Sequence, residues 1–180
     1  MGGADKLMLK IDGVPLIVRT CRRAAATGHP VFAAIPGPWH PRYEALRDEP
    51  VTCFDVPGHK EGIGGTLRDA VHRLPPCDAF MIVLADMPDL ETSDLERVMA
   101  AFPYRAKNTV VRAFTDGGDP GHPILVSSDL RPDFSALSGD DGANEIVSNP
   151  TLSLIRVPLS KDRARVDLDT QEDWTNWLAG

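Results

Sequence analysis

Cysteine is scarce in this chain of 180 residues: there are three, Cys21, Cys53 and Cys77, widely spaced and without a Cys-x-x-Cys pair. An odd number in that arrangement suggests neither a disulfide framework nor a zinc site, so the thiols read as reduced and at least partly as core residues. Long apolar runs are lacking as well. No stretch approaches the ~18 residues that cross a bilayer, and the first residues lack the charged-then-apolar order of a secretory leader. The sequence therefore predicts a cytoplasmic protein with no membrane partner. Positive charge is in deficit, with 19 Lys and Arg against 26 Asp and Glu and a formal net charge of −7. Nucleic-acid modules usually carry a clear basic excess, so nucleic acid is not expected as a partner, and an anionic substrate would need a metal bridge or local cations. Internal repeats, low-complexity tracts and linkers are absent, and 42% hydrophobic content over this length suits one domain, residues 1–180, with a sizeable core.

Helical and strand-like segments alternate along nearly the whole length. Pro15 to Gly28 reads as a helix, Val31 to Ile35 as a strand, His40 to Arg47 as a short helix and Val51 to Val56 as another strand. Gly62 to Leu74 has apolar residues at helical spacing. Phe80 to Leu84 is a continuous apolar run that stops at Asp86 and Pro88, the pattern of a strand buried on both faces of a parallel sheet. A helix from Asp94 to Phe102, capped by Thr92 or Ser93, follows it. Extended pieces come next at Thr109 to Phe114 and Pro123 to Val126, then short helices at 128–137 and 143–149, a strand from Leu152 to Val157 and a helix from Gln171 to Leu178. Such alternation implies the α/β class, with right-handed βαβ crossovers.

The candidate chemistry follows from that order. Asp86 is expected at the carboxyl end of a strand, where ligands of open α/β sheets bind, and is placed to hold a metal ion or a polar ligand; a simple turn cap is the alternative. Gly2 and Gly3 precede Lys6, so backbone amides and a compact cation could approach an anion together. Gly62, Gly64, Gly65 and Thr66 offer small residues and a hydroxyl at a helix start, where free N–H groups could meet a base or a phosphate. Gly121-His122-Pro123 sets a histidine beside a strand, and Gly139-Asp140-Asp141-Gly142 is an acidic turn. Asp167 and Asp169 stand two apart in an extended segment and can face one side, with Thr170 capping the next helix. Asp86 and Asp169 would suit Mg²⁺, which takes one or two carboxylates together with waters and substrate phosphates.

Taken in order, these motifs resemble the MobA-like nucleotidyltransferases, which attach nucleotides to molybdopterin, and most of all the molybdenum cofactor cytidylyltransferases. The resemblance runs from Gly2 to Trp174. Residues 1–7 match the tail of the loop L-A-A-G-x-S-x-R-M-G-x-x-K-L-L, and Gly13-Val14-Pro15-Leu16 matches G-x-P-L. Leu84 to Pro88, Gly121-His122-Pro123, Gly139 to Ala143 and Asp167 to Asp173 match the family's G-D-x-P, G-H-P, G-D-x-G-A and D-I-D-T-P-E-D. The family implies a single-domain, three-layer Rossmann-like nucleotidyltransferase fold with a mostly parallel sheet. It implies Lys6 and Asp86 as catalytic residues, and Gly2, Gly3, Lys6, Gly62, Gly64, Gly65 and Thr66 around CTP or GTP. Gly121, His122, Pro123 and Asp140 would meet a molybdopterin-type phosphate, with Mg²⁺ on Asp86 and Asp169 and a molybdoenzyme as a further partner.

The reaction so implied moves CMP from CTP to the pterin phosphate and releases pyrophosphate. Guanylyl transfer to the same acceptor, nucleotidyl transfer to a sugar or polyol phosphate, and a non-catalytic nucleotide or pterin carrier are the alternatives. The chain departs from the family pattern in three places. The family's first strand and most of its nucleotide loop have no counterpart here, so an N-terminally incomplete domain, with one interior strand lacking from the sheet, is expected. Gly64 and Gly65 stand where two serines are frequent, and Gln171 replaces a proline.

Overall fold

The computed structural model describes residues 5–179. A two-residue hairpin comes first, β1 (Lys10–Ile11) against β2 (Val14–Pro15). Its turn is Asp12-Gly13 with φ of 52° and 80°. Two consecutive positive φ values are what a primed hairpin turn demands, and Asp-Gly supplies them at low cost. Helix α1 (Leu16–Ala25) starts directly after Pro15. Strand β3 (Phe32–Ile35), the short helix α2 (Pro41–Ala45) and strand β4 (Thr52–Asp55) follow, and β3 and β4 pair in parallel.

Helix α3 (Ile63–Arg73), strand β5 (Ala79–Ile82) and helix α4 (Thr92–Ala100) lead into β6 (Thr109–Phe114) and β7 (Pro120–Ser127). Helix α5 (Asn144–Val147), strand β8 (Ser153–Pro158) and helix α6 (Gln171–Ala179) complete the chain. The larger sheet has the order β5-β7-β6-β8. The α/β class holds: β6 and β8 are parallel like β3 and β4, while β7 runs antiparallel between β5 and β6. Among the described residues the β3–β4 sheet and this sheet share no ladder.

The period of two in β6 explains the layering. Val110 points to one face, where Phe80, Ile82, Ile124 and Val126 meet Leu67 and Val71 of α3. Val111 and Ala113 point to the other, where Leu125 and Val157 meet Val98 of α4. Successive strand residues face opposite sides, so an apolar run such as Val110-Val111 is stable only with helices on both faces. A third cluster joins Ile17, Val18 and Cys21 of α1 to Ala33 and Ile35 of β3. Helix α1 therefore ties the two sheets together, by packing on β3 and by hydrogen bonds to the loop after β5.

Two boundaries differ from the sequence expectation. Strand β5 stops at Ile82 rather than Leu84, because Ile82 pairs with Ile124 and the next position lies opposite Pro123, which has no N–H to donate. Helix α4 is entered through Glu91 and Asp94, not through a Thr92 or Ser93 cap. The Asp94 carboxylate accepts from the Glu91 amide at 3.0 Å, and the Thr92 hydroxyl donates to the Arg23 carbonyl at 2.9 Å.

Among the described glycines, Gly121 has the tightest surroundings. A Cβ there would lie 1.9 Å from the Ala164 carbonyl oxygen, which also accepts from the His122 amide at 2.8 Å. A methyl group has no room unless one backbone segment moves. Gly121→Ala should lower unfolding stability by about 2 kcal/mol or more in urea titration; an unchanged midpoint would show that the 162–169 segment yields freely.

Candidate active site

Lys6 opens a three-residue 3-10 turn, Lys6–Met8, whose entrance Asp5 caps by accepting from the Leu7 amide at 3.1 Å. The same carboxylate receives a two-point bond from Arg42 of α2, both contacts at 2.7 Å. Burial acts to raise the Asp5 pKa, but the Arg42 guanidinium holds it below its ordinary value. Leu7 and Met8 sink into the α1–β3 cluster. The turn is thus held by charge on one side and apolar packing on the other, which fixes where the Lys6 side chain starts.

Its ammonium lies between two acids from distant parts of the chain, donating to Asp86 Oδ2 at 2.7 Å and to Asp169 Oδ1. Asp86 sits four residues past β5, in a loop gripped by α1. The Thr20 hydroxyl donates to the Ala85 carbonyl at 3.2 Å, and Arg23 donates to the carbonyls of Pro88 and Leu90 at 2.6 and 2.8 Å. Asp169 reaches the site because the Leu168 amide donates to the Asp86 carbonyl at 3.1 Å while the Leu168 side chain is buried with Ile11, Leu16 and Trp174. Thr170 then caps α6 as expected: its hydroxyl accepts from the Asp173 amide at 3.1 Å, and the Asp173 carboxylate accepts from the Thr170 amide.

Burial opposes protonation of Lys6, but its bonds to Asp169 and Asp86 more than offset this and raise its pKa. Asp167 is raised, first by burial and then by the charges of Asp169 and Asp86. Two carboxylates thus hold a single ammonium, with the Asp167 charge within electrostatic reach of them. The Asp86 side chain is only 18% exposed, and its Oδ1 is buried with no hydrogen-bond partner among the described residues.

The backbone running from Ala164 to Asp169 joins this cluster to the Gly121-His122-Pro123 motif, through the His122 bond to Ala164 and the Leu168 bond to Asp86. His122 is largely buried, and burial pushes its pKa down to about 4, with nearby Arg112 acting in the same direction. It is therefore neutral at neutral pH, and its Nδ1 is buried without a partner among the described residues. Arg112 donates to the Gly121 carbonyl at 3.0 Å and to Asn144 Oδ1 at 2.9 Å, which links this motif to the turn carrying Asp140.

The glycines at the start of α3 meet a different neighbour from the one expected. Gly64 donates its amide to the Gly139 carbonyl at 2.9 Å, and Cβ atoms on Gly62, Gly64 and Gly65 would come within 2.6 Å of the carbonyl oxygens of Gly139, Ser138 and Gly58. The Thr66 hydroxyl returns to the Gly62 carbonyl at 3.1 Å. These small residues allow two turns to touch, with Asp140 beside Gly62, and there is no space for serines at 64 and 65. Gly2 and Gly3 lie outside the described residues. Asp5, Arg42, Arg112 and Asp167 were not assigned to the site from the sequence. A lone arginine in the run Val110-Val111-Arg112-Ala113-Phe114 was the available signal for Arg112; nothing local marks Arg42.

The family model described as a MobA-like NTP transferase domain matches residues 1–155. The chain belongs to that family. It is 36% identical over 96 residues to a probable molybdenum cofactor guanylyltransferase of Synechococcus elongatus, covering 52% of this chain and 48% of that protein. It is 28% identical over 172 residues to the purine catabolism protein PucB of Bacillus subtilis, 93% of this chain and 76% of that one. Against the Synechococcus protein, then, the match spans about half the relative's length. Rv0371c of Mycobacterium tuberculosis shares the fold, with a TM-score of 0.81 at 21% identity over 99% of this chain and 90% of that one. Its complex with manganese gives 0.77 at 18% identity, over 97% and 91%.

The fold brings two carboxylates of this MobA-like chain to one point. Asp86 Oδ1 is a buried carboxylate oxygen without a partner, and Asp169 lies one ammonium away. Among the described residues no group of three or more His, Cys, Asp or Glu side chains forms a ready-made metal cage. A pair of acids is what Mg²⁺ commonly uses when waters and substrate phosphates complete its shell.

The His122 environment has a consequence for stability. In the unfolded chain the ring takes up a proton near pH 6.5, in the folded chain only near 4. Between those values the unfolded state binds the extra proton, so stability is full above pH 6.5 and declines as pH falls toward 4. The loss at pH 4.5 should be about 2–3 kcal/mol. Urea unfolding of His122→Gln should show that pH slope removed; a slope equal to that of the parent protein would mean His122 is not the responsible group.

Proposed function

We propose that this MobA-like chain is a Mg²⁺-dependent nucleotidyltransferase that moves a nucleoside monophosphate from its triphosphate to the phosphate of a molybdopterin-type acceptor. The observation that carries the reading is the meeting of Lys6, Asp86 and Asp169, brought from three parts of the chain to one point. An oxygen of the acceptor phosphate attacks the α-phosphorus, the bond to the β-phosphate oxygen breaks, and pyrophosphate leaves. No covalent enzyme intermediate is needed; the demands are positioning and charge neutralisation.

Lys6 supplies a compact cation for the phosphate oxygens. Asp86 and Asp169 would hold the divalent ion, whose contribution when bound is to neutralise charge on the triphosphate and on the departing pyrophosphate. The charge balance supports this. One lysine against two carboxylates leaves the cluster negative before Asp167 is counted, and a triphosphate would be repelled unless a further cation accompanied it. His122, neutral and buried, would add no charge on the side of the acceptor substrate.

Cytidylyl transfer is the reading that the motif pattern supports, through its likeness to the molybdenum cofactor cytidylyltransferases. Guanylyl transfer is the second reading, supported by the name of the Synechococcus relatives at 36% identity. Isothermal titration with CTP and with GTP, each with and without Mg²⁺, separates them. Mg²⁺ should tighten binding of the true nucleotide at least ~10-fold, and Asp86→Asn should abolish that gain while leaving any metal-independent binding in place. Mg²⁺-independent affinity in the parent protein, or an unaltered Mg²⁺ effect in the variant, would remove Asp86 from the metal site.

A further inference from the structure

The Lys6 ammonium occupies the position between Asp86 and Asp169 that a shared cation would take, with hydrogen bonds to one oxygen of each. The arrangement is fixed at its base, because the Lys6–Met8 turn is capped by Asp5 and Asp5 is clamped by Arg42. Asp86 keeps its second oxygen, Oδ1, buried and unpartnered, so the lysine satisfies only part of the donor set. A lysine and a divalent ion cannot both lie between the two acids, since like charges at that separation repel strongly.

We propose that Lys6 is an internal counter-ion that keeps the carboxylate pair closed to divalent cations until the phosphates of an arriving nucleotide draw its ammonium away. The inference rests on the reading that Asp86 and Asp169 are the metal ligands. It makes cation entry conditional on nucleotide: the flexible four-carbon stem of Lys6 turns from the acids to the phosphates, and the acids become available in the same motion. A nucleotide-free protein then holds metal weakly, although its two acids are already side by side.

The test needs no activity. Mn²⁺ is titrated into nucleotide-free protein, with the free ion followed by electron paramagnetic resonance, for the parent chain, Lys6→Met and Lys6→Arg. Lys6→Met should bind one Mn²⁺ at least ~10-fold more tightly than the parent. Lys6→Arg, which keeps a cation able to bridge both acids, should stay as weak as the parent. Equal or weaker Mn²⁺ binding by Lys6→Met, with its fold intact by circular dichroism, overturns the proposal.

A second measurement, which keeps Lys6 in place, decides the matter should Lys6→Met not fold. Acetylation of lysine amines, mapped by mass spectrometry, should modify Lys6 slowly in the nucleotide-free protein at a rate that millimolar Mg²⁺ leaves unchanged, and faster in Asp169→Asn, which removes one arm of the ion pair, with Lys60, Lys107 and Lys161 unaffected. A Lys6 rate that millimolar Mg²⁺ raises in the nucleotide-free parent, or that Asp169→Asn leaves unchanged, sinks the idea. The functional reading fails separately: Mn²⁺ gain in Lys6→Met without any nucleotide binding by the parent would keep the counter-ion and discard the nucleotide, and the reverse pattern would do the opposite.

Discussion

One ammonium bound to two carboxylates is the contact on which the arrangement of this protein turns. Lys6 lies 80 residues from Asp86 and 163 from Asp169, so the contact closes nearly the whole chain on itself. Two acids do not converge in a half-buried place without a cation to offset their repulsion and the loss of water. Much of the surrounding structure serves to hold the three groups. Arg42 and Asp5 fix the lysine's turn, Thr20 and Arg23 hold the Asp86 loop, and buried Leu168 brings Asp169 alongside through the Asp86 carbonyl. Asp5 and Leu168 are the immediate neighbours of Lys6 and Asp169, while Arg42, Thr20 and Arg23 lie far along the chain from the groups they position.

That distance explains what could be read from the chain in advance. The strands and helices were legible because burial on two faces leaves an apolar run, as in Phe80 to Ile82 or Val110-Val111, and because Thr170 with Asp173 forms a cap from local spacing alone. Asp86 and Asp169 stood out by their places, one after a buried strand and one before a helix, and the fold brings both to Lys6. The glycines of α3 were not legible. Gly62, Gly64 and Gly65 look from the sequence like a cradle for an anion, yet their Cβ positions are taken by the backbone of Ser138, Gly139 and Gly58, which lie far off along the chain or one turn before. A small residue required for backbone contact and a small residue required for ligand approach leave the same mark in a sequence.

Helix α1 has a role that its sequence does not advertise. Its apolar side meets β3, while Thr20 and Arg23 reach the carbonyls of Ala85, Pro88 and Leu90 after β5. Among the described residues the two sheets share no strand pairing, so the relation between the Lys6 side of the site and the Asp86 side depends on side chains of this helix and on the packing of Leu7 and Met8 beneath it. Polar contacts to carbonyls are well suited to that task. They fix direction, whereas apolar packing alone tolerates sliding.

The segment from Ala164 to Asp169 gives the site its polarity. Its first residue accepts from His122 and crowds Gly121, next to Arg112, where burial keeps the imidazole neutral and positive charge is provided by arginine. Its last residue contributes to an acidic cluster in which carboxylates outnumber lysine. The end of a turn and the irregular stretch after it thus span from a neutral, weakly cationic end to an anionic one, and both ends are attached by backbone hydrogen bonds rather than by long side chains. Backbone attachment matters because it places the two ends of the segment independently of side-chain rotamers. The two ends are therefore surfaces of different charge, one carrying Arg112 and the other the acids that hold Lys6.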